Sequence, residues 1–360
     1  MNQARPAAPL AFRTHWLALA PARAADDLEH AVEDAFAGEA TAFMAFLLAN
    51  GLGPLWHQAL HSRQWQGRVP PEAQETLNLS RFAAAALYLL QSAELRRIDH
   101  LFAAQGIAYA AIKGAHVREL AYDDPSLRPA DDVDIIVSAG QRVAAARALV
   151  GAGFHYHPAP DNISHEASFV KGRVTIDLHW NTFRPGRSRV DVTDALVARR
   201  VRVAGFWGLS DTDAVFLMLT HPAFFKYVCS PNMALCRVAD FMFWTRRRAV
   251  DWAGLAALLR DTGLNSAAWT VSSWFALLGA AVPADFLAQI SPGKARVRYL
   301  RYWLERDLPT QWFKRRPLLI QLGFTLFLHD RPADAGRAVC GWLRAYRRRR
   351  DDPFAALAAP

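Results

Sequence analysis

The chain has 360 residues, 52% hydrophobic and 21% charged. That is enough apolar material for roughly two domains of ~150 to 200 residues and too much for a disordered chain. The net charge is +9 and the pI about 9.8, but the cations are mostly Arg in an Ala-rich chain, a bias that GC-rich coding produces by itself, so charge alone does not establish a nucleic-acid partner. Cys229, Cys236 and Cys340 are too few and too scattered for a disulfide framework or a zinc site and fit a reducing, cytoplasmic setting. Glycine and proline follow no fixed period, which excludes collagen and repeat architectures.

The apolar stretch at residues 16–22 imitates a signal peptide, but Pro21 and Arg23 interrupt it and an acidic helical segment at 26–34 follows, so it reads as an ordinary lead-in. Up to residue 104 the pattern is helical. Ala42, Phe43, Phe46 and Leu47, then Phe82, Leu87, Leu90, Leu95, Ile98 and Leu101 recur every three to four positions. Gly51, Gly53 and Pro54 break the first group, and Pro70 and Pro71 open the second.

Gly106 ends the long helix, and the apolar run 107–112 is a buried strand, too short for a helix. Lys113 and Gly114 turn the chain into a helix at 115–122, a polar loop follows to Pro129, and Val133, Ile135, Ile136 and Val137 form a second strand. Gly140 leads into a helix at 141–150, closed by Gly151 and Gly153; segments 167–170 and 174–179 form a hairpin around Lys171, Gly172 and Arg173. From about Asp211 the helical period returns and lasts to about residue 350, divided at Pro231, Gly263, Pro283, Pro292 and Pro317. The apolar stretch 318–328 is too short to cross a bilayer, so no transmembrane segment is expected. The expected organisation is an N-terminal helical section 1–104, a mixed α/β core 105–208 and a C-terminal helical domain 209–360.

Chemistry concentrates in the core. Period two along the second strand puts Asp132 and Asp134 on one face and Val133 and Ile135 on the other. Two carboxylates so placed repel, and a hard divalent cation such as Mg²⁺ removes the conflict. Asp177 lies on the later strand 174–179, where a neighbouring strand of one sheet brings it across from the pair; three such carboxylates can hold two metals. Gly114, at a strand-to-helix turn, allows backbone amides to approach phosphate, and Lys113 adds a positive charge there.

The stretch AIKGAHVRELAYDDPSLRPADDVDIIV, followed by TIDLHW and more loosely by CRVADFMFWTRRRAVDW, resembles the uncharacterised bacterial nucleotidyltransferases of the polymerase-β superfamily. The resemblance implies an α+β fold: a polymerase-β-like core, a small mixed sheet with helices, flanked by N- and C-terminal helical sections. It implies Asp132, Asp134 and Asp177 as catalytic metal ligands, and Gly114 with Ala115 at the Gly-Gly or Gly-Ser phosphate-binding position, where Ala115 departs from the pattern. Asp131 leaves a one-residue ambiguity of register that the alternation resolves toward Asp132 and Asp134. Mg²⁺, with Mn²⁺ as a substitute, is the implied cofactor and an NTP the implied donor. The acceptor is unidentified, with a small molecule, saccharide or peptide favoured over nucleic acid. A nucleotide-sugar donor is the alternative within enzymes, and a non-catalytic RNA- or peptide-binding protein the alternative outside them.

Other residues carry two readings each. Arg128 either bridges phosphate oxygens or orients an aspartate, or it forms an ion pair that merely fixes its loop. His179 shares the face of Asp177 and is either a substrate contact or a structural histidine, while Trp180 points to the core. Arg237 and Asp240, neighbours on one helical face, are read chiefly as a tie between that helix and the core. His221, Lys226 and Tyr227 are candidates for the cleft wall. The run Trp312, Phe313, Lys314, Arg315, Arg316 and the tail Arg347 to Arg350 keep a polyanion in view, although a solvated helix surface explains both.

Overall fold

A computed structural model describes residues 12–23, 26–37, 40–158, 165–225, 228, 233–347 and 354–357. Lys226, Tyr227, Cys229, Pro231 and positions 348–350 of the basic tail therefore lie outside the described residues. The punctuation of the helical front section acts as its chemistry dictates. Gly51, at φ +67, follows helix Ala40–Ala49, and Pro54 sits in the first turn of helix Gly53–Ser62. Pro71 opens the long helix Pro71–Ala104, and Gly106, at φ +66, turns the chain out of it.

Seven strands follow: β1 (Tyr109–Ala111), β2 (Val133–Val137), β3 (His155–His157), β4 (Glu166–Lys171), β5 (Val174–His179), β6 (Val201–Val203) and β7 (Phe206–Gly208). They form one mixed sheet in the order β3-β4-β5-β2-β1-β7-β6. β2 runs antiparallel to β1 and parallel to β5, and β1 runs parallel to β7. The fold is thus an α+β core with flanking helices. The β4–β5 hairpin turns through Gly172, at φ +57, and Arg173, which fixes a register from Lys171 opposite Val174 to Glu166 opposite His179. Strands β3, β6 and β7, each three residues long, carry too little alternation to be legible in sequence; pairing with β4 and β1 makes them strands.

The two sheet faces pack against different partners. Val133, Ile135, Val137, Phe169, Ile176 and Leu178 face the long helix at Leu95, Ile98 and Phe102 and share that cluster with Phe354, from near the C-terminus. Trp180 belongs to the same cluster, as its alternation predicts, with its ring 5.3 Å from that of Phe354. On the opposite face Ala110, Ile112 and Ile136 join a cluster that runs through Leu47, Trp56 and Leu77 of the front helices and Val215, Phe241 and Trp274 of the later ones. Both helical sections therefore share one core against this face. Among the described residues no helix is long and apolar enough to cross a membrane.

Candidate active site

The parallel register of β2 and β5 sets Asp134 opposite Asp177 and Ile136 opposite His179. The alternation that sends Val133 and Ile135 to one face sends Asp134, Asp177 and His179 to the other. Asp132, immediately before β2, joins them: one carboxylate oxygen of each of Asp132, Asp134 and Asp177 lies within 4.8 Å of the others. Asp131 is exposed and outside this cluster, so the register falls as the alternation requires.

The three carboxylates differ in environment. Asp134 is 4% exposed. Burial opposes its ionisation, but Lys113 Nζ at 2.5 Å and His179 Nε2 at 2.8 Å from Oδ1 outweigh burial and hold its pKa below the ordinary carboxylate range. Asp132 goes the other way. The charge of Asp134, reinforced by burial and by Asp177, pushes it up to about 7 against the pull of Lys113 and Arg237. Positive charge is therefore in deficit at this point, and a hard divalent cation is the species that an all-oxygen donor set of this kind accommodates.

Behind the cluster a second row of side chains holds it in place. Glu166 Oε2 lies 3.2 Å from His179 Nδ1, so the imidazole spans Glu166 and Asp134. Ser168 Oγ donates to Asp177 Oδ1 at 2.7 Å. Neither Glu166 nor Ser168 was expected at the site. The signal was present, because a two-residue turn at 172–173 places Ser168 opposite Asp177 and Glu166 opposite His179.

Lys113 reaches Asp134 from a left-handed backbone, φ +53, which costs a residue with a Cβ about 1–2 kcal/mol. Its near-buried ion pair holds it there. Lys113 also begins helix Lys113–Ala121, whose N-cap residue Ile112 offers no side-chain hydrogen bond. The first-turn amides, those of Gly114 and Ala115 included, thus have no side-chain cap, the condition under which a helix N-terminus favours an anion. Gly114 has a further reason to be glycine: a Cβ there would lie 2.9 Å from Arg128 Nη1. Ala115 directs its methyl into the cluster behind the sheet.

Of the two readings of Arg128, the structure shows the ion pair that fixes its loop. Its Nε and Nη2 donate to Asp240 at 3.1 and 2.8 Å, its Nη1 donates to the Pro129 carbonyl at 2.6 Å, and Asp240 also accepts from the Tyr122 hydroxyl at 2.8 Å. A guanidinium this buried needs a counter-carboxylate, and Asp240 on helix Cys236–Arg247 supplies it. The ion pair fixes the loop and ties that helix to the core. Arg237, together with Lys113, Gly114, His221 and the Arg128–Asp240 pair, lines the cleft beside the carboxylates. Of the two residues read as a tie, Asp240 makes it, through Arg128, and both line the cleft. His116 packs its ring 5.2 Å from that of Trp244, and burial pushes its pKa down to about 3, so it is neutral.

No curated protein matches the sequence. The model of a family described as an uncharacterised nucleotidyltransferase matches residues 37–277, a span that holds the whole sheet, the three aspartates and the Lys-Gly turn. Because that match covers well over half of the chain, the protein belongs to this nucleotidyltransferase family and is a transferase whose donor is a nucleoside triphosphate.

Proposed function

We propose that the chain is a Mg²⁺-dependent nucleotidyltransferase of the polymerase-β type, in which an acceptor oxygen attacks the α-phosphorus of an NTP and pyrophosphate leaves. The observation that carries this reading is the convergence of three carboxylates and Lys113 beside an uncapped helix N-terminus. Asp132, Asp134 and Asp177 would hold the metal, which when bound supplies charge neutralisation for the triphosphate and a lowered pKa for the acceptor hydroxyl. Asp177, with Ser168 fixing one oxygen, accepts the proton of that hydroxyl as the new P–O bond forms. The amides of Gly114 and Ala115 receive phosphate oxygens, and Lys113 and Arg237 balance the charge of the leaving pyrophosphate. His179, held by Glu166, orients Asp134, and Arg128 acts through Asp240 to place the turn at Gly114.

Residues 105–208 would form the catalytic core, with 1–104 as a helical section packed on it and 209–360 supplying the other wall of the cleft through Leu217, His221 and Arg237. The acceptor is a small molecule, saccharide or peptide in this reading. Titration calorimetry of each of the four NTPs into the full chain, with Mg²⁺ and with EDTA, tests the proposal. Binding that requires Mg²⁺ and is lost in Asp134→Asn is expected; nucleotide affinity indifferent to both overturns it.

A further inference from the structure

The long helix Pro71–Ala104 covers the sheet with one side and, among the described residues, leaves the other uncovered. Leu79, Phe82, Leu89 and Leu90 are 64%, 72%, 66% and 45% exposed, and Ala83, Ala86 and Ala93 are exposed between them. Positions 79, 82 and 83, 86, 89 and 90, and 93 repeat with the three-and-four spacing of a helix-pairing seam. The seam runs about 21 Å at 1.5 Å per residue and carries no charge over that length. Such a stripe on a helix that already has its sheet-facing core is a pairing surface.

The sequence of the stripe identifies its occupant. Its N-terminal end continues into exposed Glu72 and Glu75 and its C-terminal end into exposed Arg97 and His100. A parallel copy would set carboxylate against carboxylate at one end and cation against cation at the other. An antiparallel copy related by a two-fold axis at Ala86 sets Glu75 opposite Arg97, Glu72 opposite His100, Leu79 opposite Ala93, Phe82 opposite Leu90 and Ala83 opposite Leu89. Charge meets opposite charge at both ends, and large residues meet small ones at two of the three apolar pairings, which is the self-complementarity an isologous interface demands. A lipid surface would match neither the acidic end nor the pairing of large with small. We infer that the protein forms a two-fold dimer through this face of the long helix, antiparallel and centred on Ala86.

Sedimentation of the full chain is expected to show a species of twice the 40.1 kDa monomer mass. Phe82→Glu with Leu89→Glu should give a monomer with unchanged circular dichroism and a Tm that no longer depends on protein concentration, since both side chains are solvent-exposed in the single chain. Glu75→Arg should raise the dimer dissociation constant about tenfold, and adding Arg97→Glu should restore it. In a Cys340→Ser background, which removes an exposed thiol, Ala86→Cys alone should oxidise to a covalent dimer because the axis brings it onto its own copy, and the parent should not. A wild-type chain that stays monomeric to about 100 μM overturns the inference and leaves the stripe to another protein or to lipid. A dimer that survives the double Glu substitution, or in which Ala86→Cys fails to cross-link, overturns it equally.

Discussion

β2 and β5 carry two chemistries on opposite faces of the same strands. On one side Val133, Ile135, Ile176 and Leu178 are fully buried against the long helix; on the other Asp132, Asp134 and Asp177 crowd within 4.8 Å. Alternation assigns both faces, but the energetics are opposed. The apolar face contributes roughly 1.5–3 kcal/mol per large side chain through burial, whereas the acidic face gathers like charges that Lys113 and Arg237 only partly offset. The stability of one face holds the strain of the other in register, which is how a fold maintains a site that would disperse if it were free to relax.

This contrast can be broken at either face. The largest effect is expected from Asp134→Asn, with transfer falling roughly 10²–10³-fold while circular dichroism shows a folded chain; turnover near the wild-type rate with Mg²⁺ would remove the metal assignment. Ile135→Ala, one residue along and facing the other way, should cost about 2–5 kcal/mol of stability and leave the specific activity of the folded fraction unchanged. Denaturant titration followed by assay of the refolded fraction separates the two substitutions, and similar losses of activity in both would mean that the faces are not independent.

Smaller effects sharpen the comparison. Glu166→Gln should weaken metal binding or activity about 10–100-fold, as removal of a side chain that orients a ligand's partner does, and isothermal titration with Mn²⁺ reads the affinity directly. The smallest concerns pH. Folding lifts the Asp132 pKa from 3.8 to about 7, so the folded state binds the extra proton. Stability from that proton is fully present below about pH 4 and is lost as pH rises through about 7. Metal-free wild type should lose about 2–4 °C in Tm between pH 5 and 8, and Asp132→Asn should flatten that slope. Mg²⁺ added at pH 8 should raise the wild-type Tm and leave the variant's unmoved; parallel slopes in the two proteins would count against the charge deficit.

The legible part of the site was the part written locally. Asp132 and Asp134 are two residues apart, Lys113 and Gly114 adjoin a strand end, and Asp177 and His179 alternate in a hairpin strand, so period and punctuation were sufficient to propose them. Glu166 and Ser168 needed the hairpin register carried one step further. Arg128 was ambiguous for a physical reason: a guanidinium serves a phosphate or a carboxylate equally well, and its partner Asp240 lies 112 positions away in sequence. The exposed stripe on the long helix was hidden within its own pattern, since Phe82 and Leu90 fit a helical period whether they face a core or solvent.

By itself the sequence determined the order of helices and longer strands, the hairpin and its turn, and the carboxylates of the candidate site, because these rest on interactions between near neighbours. The tertiary structure alone decided which strands pair, making β3, β6 and β7 strands at all, and joined the helices that precede and follow the sheet in the chain into one core against a single face of it. It also gave Asp240 to Arg128 and Arg237 to the cleft. Those outcomes depend on contacts between residues far apart in the chain, where burial and the need to pair each buried charge select the partner and local propensity has no influence.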